Sequence, residues 1–273
     1  MQGNELMICH PETDEIPAIE QLWIDTFADP PELIEAFMDA FSPALCGWVL
    51  RRGREILSSA YLLHGNLFLC EQSVRPAAYI YAVATPRSQR GMGYGGMLMR
   101  HFAKLSDERG FLLYTRPASE GLFRWYAETT QMRPATGFAQ KLLSAQPISP
   151  SLTPRRISAS EYGVLREAQL RDRPHIALSE TFLRLQEQFL EGERAGYYAL
   201  DGACCACEEA EQQLRFKELL VPEKDADHFV QAMLRLLDLK EAIIPVPSPS
   251  GAATVAYRSE PVSPETNWGL LLD

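Results

Sequence analysis

The sequence predicts an α/β protein of the α+β type, built as two domains in which one order of elements occurs twice. Three observations carry this. Residues Tyr79 to Gly96 run from an apolar strand into a glycine-dense turn that opens a helix. Pro147, Pro150 and Pro154 fall close together among Ser and Thr and mark a linker. On each side of it two helices come first, strands follow, and a helix then leads into a further strand. At roughly 150 residues per domain, 273 residues also suggest two domains. The boundaries expected are 1–146, a linker at 147–154, and 155–273.

In the first half, Ile16, Ile19, Leu22, Trp23 and Phe27 stand near helical spacing, so Asp14 to Phe27 reads as an amphipathic helix. Pro30 and Pro31 break it, and Leu33 to Phe41 forms a second helix. Gly47 to Arg52, Ile56 to Leu63 and Asn66 to Cys70 read as strands, with Arg52-Gly53-Arg54 as a hairpin turn. Strand Ala77 to Ala84, helix Met97 to Glu108, strand Phe111 to Tyr114, helix Glu120 to Thr130 and strand Gly137 to Ser144 complete the half. Beyond the linker the reading is helices Ser160 to Gln169 and Glu180 to Glu191, strands Gly196 to Leu200, Ala203 to Glu208 and Gln213 to Val221, helix Asp225 to Leu237, strand Ala242 to Val246, and a terminal strand Trp268 to Leu272.

The turn at Gly91, Gly93, Gly95 and Gly96 reads as a phosphate cradle. Glycines allow close approach and the positive φ values that turn N–H groups inward, and the following helix adds its unpaired N–H groups and dipole. A pyrophosphate fits this arrangement. No Lys-Ser or Lys-Thr follows the glycines, which excludes a P-loop. Gly91, Gly93 and Gly96 satisfy G-x-G-x-x-G, but the strand after the helix ends in Thr115 and Arg116, without the acid that a dinucleotide ribose takes.

The order Arg90-Gly91-Met92-Gly93-Tyr94-Gly95, R-x-x-G-x-G, preceded by a strand and the connector Ala84 to Arg87, resembles the coenzyme A signature of the GNAT superfamily of acyl-CoA-dependent N-acyltransferases. Glu120 to Glu128 is similar to that family's helix bearing an F-Y-E-K-x-G-F block, although Gln131 and Met132 stand where Gly-Phe is usual and Ser119 where many members have Asn. The resemblance spans roughly Ile16 to Leu143. It implies a mixed central sheet flanked by helices. It implies acetyl-CoA as co-substrate, no metal, and transfer of the acetyl group to a primary amine by direct attack through a tetrahedral intermediate. Carried onto this chain, Val83, Ala84 and Thr85 meet the pantetheine and thioester, and Arg90, Gly91, Met92, Gly93, Tyr94, Gly95 and Gly96 meet the diphosphate. Tyr126 matches the tyrosine that protonates the departing thiolate, with a core aromatic beside Phe123 and Trp125 as the plain alternative. Glu71, next to the central strands, is the side chain best placed to act as general base; an exposed turn residue is the other reading. The rival function is a non-catalytic acyl-CoA-binding sensor or pseudoenzyme.

In the second half the corresponding strand ends at Val221 and is followed by Pro222, Glu223, Asp225 and Asp227. Carboxylates at a helix N-terminus compete with a phosphate. That half therefore reads as a degenerate GNAT-like copy without the pyrophosphate loop, or else as an unrelated α/β domain. Of the cysteines, Cys204, Cys205 and Cys207 form a C-x-x-C with no second pair and no nearby His, which reads as buried strand cysteines rather than a metal site. The net charge of −10 offers no basic face for nucleic acid. No long apolar run or signal peptide is present, so the expectation is a cytoplasmic enzyme with a small-molecule or peptide amine as partner, neither nucleic acid nor membrane, and a homodimer as a compatible state.

Overall fold

The structure is a computed structural model and describes residues 5–69, 73–135, 137–147, 153–248, 255–270 and 272. The chain divides into two compact units. The first comprises Met1–Leu67, Val74–Ala135 and Thr254–Val262, the second Phe68–Ser73, Thr136–Ala253 and Ser263–Asp273.

In the first unit the elements are β1 (Leu6–Cys9), α1 (Ile16–Phe27), α2 (Pro31–Ala40), α3 (Pro43–Cys46), β2 (Gly47–Arg52), β3 (Glu55–Phe68), β4 (Val74–Ala84), α4 (Tyr94–Arg109), β5 (Leu112–Thr115), α5 (Glu120–Thr130) and β6 (Arg133–Pro134). Pro31 opens α2 instead of only ending α1, because a proline at the first helical position gives up an N–H that has no partner there. The two strands expected within Ile56 to Cys70 are one continuous β3. Helix α4 begins three residues before the expected Met97, inside the glycine run itself.

The second unit contains β7 (Gly137–Ser144), β8 (Arg155–Ile157), α6 (Ala159–Leu170), β9 (His175–Ala177), α7 (Glu180–Phe189), β10 (Gly196–Leu200), β11 (Ala203–Ala210), β12 (Gln213–Leu220), α8 (Ala226–Leu236) and β13 (Glu241–Ser248). A last strand, β14 (Ala256–Arg258), belongs to the first unit. The sheets run β1-β2-β3-β4-β5-β14-β6 and β7-β13-β12-β11-β10-β8. In the first, β4 and β5 are parallel; in the second, β12 and β13 are. Strand by strand, β8, β10, β11, β12 and β13 repeat the order of β1 to β5, so the second unit is a copy of the first and not an unrelated domain.

The boundary expected at 146 is corrected by this pairing. The strand Gly137–Ser144, read as the end of the first domain, pairs antiparallel with β13 over its whole length, from Gly137↔Ser248 to Ser144↔Glu241. The place beside β5 is filled by β14, with Ala256↔Thr115 and Arg258↔Leu113. Each copy thus completes its sheet with a strand from beyond the other's segment. Where a terminal strand Trp268 to Leu272 was expected, the described residues show none, only an isolated bridge from Asn267 to His175. Most of the expected linker, residues 148–152, lies outside the described residues.

The first core stacks Ala78 and Ile80 of β4 against Leu98, Met99 and Phe102 of α4, with Tyr126 and Met132 beyond them. In the second, Cys205 and Cys207 of β11 pack with Phe229, Val230 and Met233 of α8 as free, buried thiols. Among the described residues no group of His, Cys, Asp and Glu is placed to hold a metal, and no helix is long and apolar enough to cross a membrane.

The second unit also buries a charged network. Arg166, fully buried on α6, donates Nε to Glu218 Oε2 at 2.9 Å and Nη1 to the Ile176 carbonyl at 3.0 Å. The Tyr162 hydroxyl donates to the same carboxylate, and its ring stacks on Tyr197 at 4.2 Å. Burial works against the Arg166 charge, and Glu218, Tyr162 and Glu167 together outweigh it. Removing one member of such a pair strands the other without compensation. Arg166→Met should therefore lower unfolding free energy by about 3–5 kcal/mol, read by urea denaturation, and Arg166→Met/Glu218→Met should recover most of it. A single variant as stable as the parent would show that the pair holds nothing together.

Candidate active site

The site forms where β4 and β5 part. The ladder between them runs from Ala77↔Leu112 to Tyr79↔Tyr114 and stops, while β4 continues to Ala84. Ala82, at φ 49°, sits in the left-handed region inside this stretch beyond the β5 ladder, which breaks the strand's regular extension. At the fork, Thr115 Oγ1 donates to the Ile80 carbonyl at 3.0 Å, so a side chain satisfies an oxygen that the ladder leaves open. The end of β4 is fixed by Ser58 of β3, whose hydroxyl donates to the Ala84 carbonyl at 2.8 Å. Thr85 Oγ1 lies 3.1 Å from Ser58 Oγ and supplies the proton of that contact, since the Ser58 proton is already committed to Ala84.

Past Pro86 a single 3-10 turn, Arg87–Gln89, leads into the glycines. Gly91 and Gly93 take φ 81° and 83°, conformations that a side chain disfavours, and a Cβ on either would meet nothing within 4 Å. Gly93 is the N-cap of α4 and provides no side-chain cap. The first intrahelical bond in this turn is Met97 N to Gly93 O at 2.9 Å, so the amides of Tyr94, Gly95 and Gly96 precede the helical ladder. No acidic residue stands in that first turn. A Cβ on Gly95 would approach Thr85 Oγ1 to 3.3 Å and Trp125 to 3.7 Å, so this glycine keeps the wall thin between loop and strand.

These groups enclose a cavity of about 260 Å³ lined by Thr85, Arg90, Gly91, Gly93, Tyr94, Gly95 and Gly96, together with Gln89 and Trp125. Arg90 Nε donates to the Thr85 carbonyl at 3.1 Å, which draws the loop toward the strand end. Arg52 Nη2 donates to the Tyr94 hydroxyl at 2.7 Å and ties the loop to β2. Uncapped amides, a helix dipole and an arginine facing an open cradle suit a phosphate-bearing group.

Of the residues predicted from sequence, Thr85, Arg90, Gly91, Gly93, Tyr94, Gly95 and Gly96 come together here. Met92 is largely exposed and does not line the cavity; Val83 packs against the core, and Ala84 is buried with its carbonyl taken by Ser58. Tyr126 lies one position along α5 from Trp125, buried in the core and outside the cavity wall. Burial pushes its phenol up to about 12, and a side-chain hydrogen bond with Thr115 pulls it partly back. Through Thr115 it reaches the fork where β4 and β5 part. Glu71 lies outside the described residues. Ser58, Gln89 and Trp125 were not anticipated; the pair Ser58-Ser59 inside an otherwise apolar strand was the signal available for Ser58.

Residues 9–129 match the acetyltransferase (GNAT) family. The first unit carries a GNAT acetyltransferase domain. Membership of that family suggests acyl transfer from an acyl-CoA. Solved structures give the same fold over nearly the whole chain. A GCN5-related N-acetyltransferase from Anabaena variabilis aligns with TM-score 0.72 at 12% identity, covering 93% of this chain and 72% of that one. One from Kribbella flavida aligns with TM-score 0.71 at 13% identity over the same shares, 93% and 72%. A tandem GNAT protein from the clavulanic acid biosynthesis pathway aligns with TM-score 0.56 at 11% identity over 95% of this chain and 100% of its own. No curated protein matches. The fold therefore occurs here twice, and the glycine loop is in the first unit: in the second, Glu223, Asp225 and Asp227 crowd the start of α8.

Proposed function

We propose that the protein transfers the acetyl group of acetyl-CoA directly to a primary amine, using the first GNAT unit. The observation that carries this is the uncapped start of α4, where the amides of Tyr94 to Gly96 meet an open cradle at Gly91 and Gly93 beside the end of β4 that has parted from β5. Bound there, the co-substrate supplies the activated acyl thioester, and the chain's own groups do the rest. The loop amides and Arg90 hold the diphosphate, with hydrogen bonds to a charged group contributing roughly 1.5–3 kcal/mol each. Ser58 and Thr85 hold the end of β4 rigid against it. Tyr126, a phenol and so protonated at physiological pH, is held more firmly in that form by burial, and its hydroxyl proton can pass to a thiolate leaving at the fork. Glu71 is assigned to the amine proton from its place in the sequence alone.

The burial of Tyr126 favours one other reading, an acyl-CoA-binding sensor that transfers nothing. Coenzyme A release from acetyl-CoA over a panel of amines decides between them. Release that depends on amine is the expected result; tight acetyl-CoA binding with no release above the hydrolysis background for any amine would leave the sensor.

A further inference from the structure

A larger cavity, of about 350 Å³, lies in the first unit at the opposite end of the sheet from the glycine loop, where β4 and β5 begin. Guanidinium groups reach it from separate strands: Arg75 of β4, Arg133 of β6 and Arg258 of β14. Two carboxylates, Asp107 and Glu260, stand against them. Arg258 is committed, since it grips both oxygens of Asp107 and donates to the Ala103 carbonyl at 3.2 Å, fastening β14 to α4. Arg75 is engaged more loosely: it donates to Ser259 Oγ, and its ion pair with Glu260 spans 3.9 Å to a side chain that is 87% exposed. Arg133 has no ion-pair partner among the described residues.

The cavity thus sets three guanidiniums against two carboxylates, a surplus of one positive charge, in a chain whose net charge is −10. Guanidinium groups converging on one recess repel each other, and an anion placed between them reverses the sign of that interaction. Ser259 adds two signs of a built site. Its φ of 149° is a backbone conformation that side chains avoid, of the kind found at ligand clamps. Its oxygen accepts from Arg75, which leaves its hydroxyl proton to give. Guanidinium forks match the paired oxygens of a carboxylate or a phosphate, and the volume suits a metabolite-sized molecule.

We infer that this cavity is a second binding site, for a small oxyanion of the carboxylate or phosphate type, held by Arg75, Arg133 and Ser259. The site is independent of the acyl-transfer reading. Because its ligands come from β4, β6 and the residue after β14, an anion bound there ties the returning strand into the sheet.

The test uses the full chain with inorganic phosphate, with succinate, and with sodium chloride at matched ionic strength, reading the thermal midpoint and hydrogen exchange of the β14 amides. One of the oxyanions at millimolar concentration should raise the midpoint and protect β14 beyond the chloride control, and which one does so distinguishes phosphate from carboxylate. Arg133→Ala should weaken that binding by about tenfold or more, the value of a charge-assisted bond, without lowering the anion-free midpoint, since it removes an unpaired cation. Gly93→Glu, which closes the glycine loop to phosphate, should keep the response. The inference falls if neither oxyanion exceeds chloride, if Arg133→Ala binds as the parent does or is destabilised without anion, or if Gly93→Glu abolishes the effect and so places the anion on the loop.

Discussion

Gly93→Glu should abolish binding of acetyl-CoA and of CoA by titration calorimetry while the protein stays folded. The backbone at Gly93 has φ 83°, and a side chain there costs roughly 1–2 kcal/mol of local strain. An acid at a helix N-cap offsets part of that cost, and a Cβ meets no neighbour within 4 Å, so the fold tolerates the change. The ligand does not. The added carboxylate occupies the open side of the cradle, takes the α4 amides for itself and repels a diphosphate. Losing two or more hydrogen bonds to a charged group amounts to about 3–6 kcal/mol, or more than about a hundredfold in affinity. Gly93→Ala separates strain from charge, because it brings the same φ penalty with no carboxylate, and should weaken binding far less. Unchanged affinity in Gly93→Glu would sink the placement of the phosphates on this loop.

Tyr126→Phe should lower kcat by about 10²–10⁴ with the dissociation constant for acetyl-CoA nearly unchanged, because it removes one proton and one hydrogen bond from a residue outside the cavity wall. The ring stays, so the packing around Leu98, Phe102 and Met132 is kept. Losing the hydroxyl also frees the Thr115 side chain from a partner, which predicts a stability loss of only about 0.5–1.5 kcal/mol. The measurement that discriminates is activity per folded molecule. If kcat holds while the thermal midpoint drops, Tyr126 is a core aromatic and the proton comes from elsewhere.

The local chemistry was legible because it is local. Four glycines in a short run mark where the backbone can turn with positive φ, and two of them, Gly91 and Gly93, do turn so, while Gly95 and Gly96 lie in the helix. Helix α5 and strand β10 have the bounds that their periodicity and flanking residues announce, and β7 has the bounds read for it as well. Side-chain alternation along Gly137–Ser144, however, names a strand without naming its neighbour. Short-range pattern favours pairing with the sheet just completed, and that assumption put the domain boundary at 146.

By itself, then, the sequence determined that a glycine turn at Arg90 to Gly96 opens a helix, and it offered a second use of the element order without that turn, beside the reading of an unrelated domain. Tertiary structure alone decided that β7 lies beside β13 and β14 beside β5, because strand partners far apart in the chain are chosen by long-range register and burial, which no local window records. It alone brought Ser58 to Ala84 and Tyr126 to Thr115, and gathered Arg75, Arg133 and Arg258 at one recess. The physical reason is the same in each case. A dihedral preference belongs to a residue and can be read from its identity, whereas a hydrogen bond or a charge cluster belongs to a pair or group whose members the fold brings within a few ångströms.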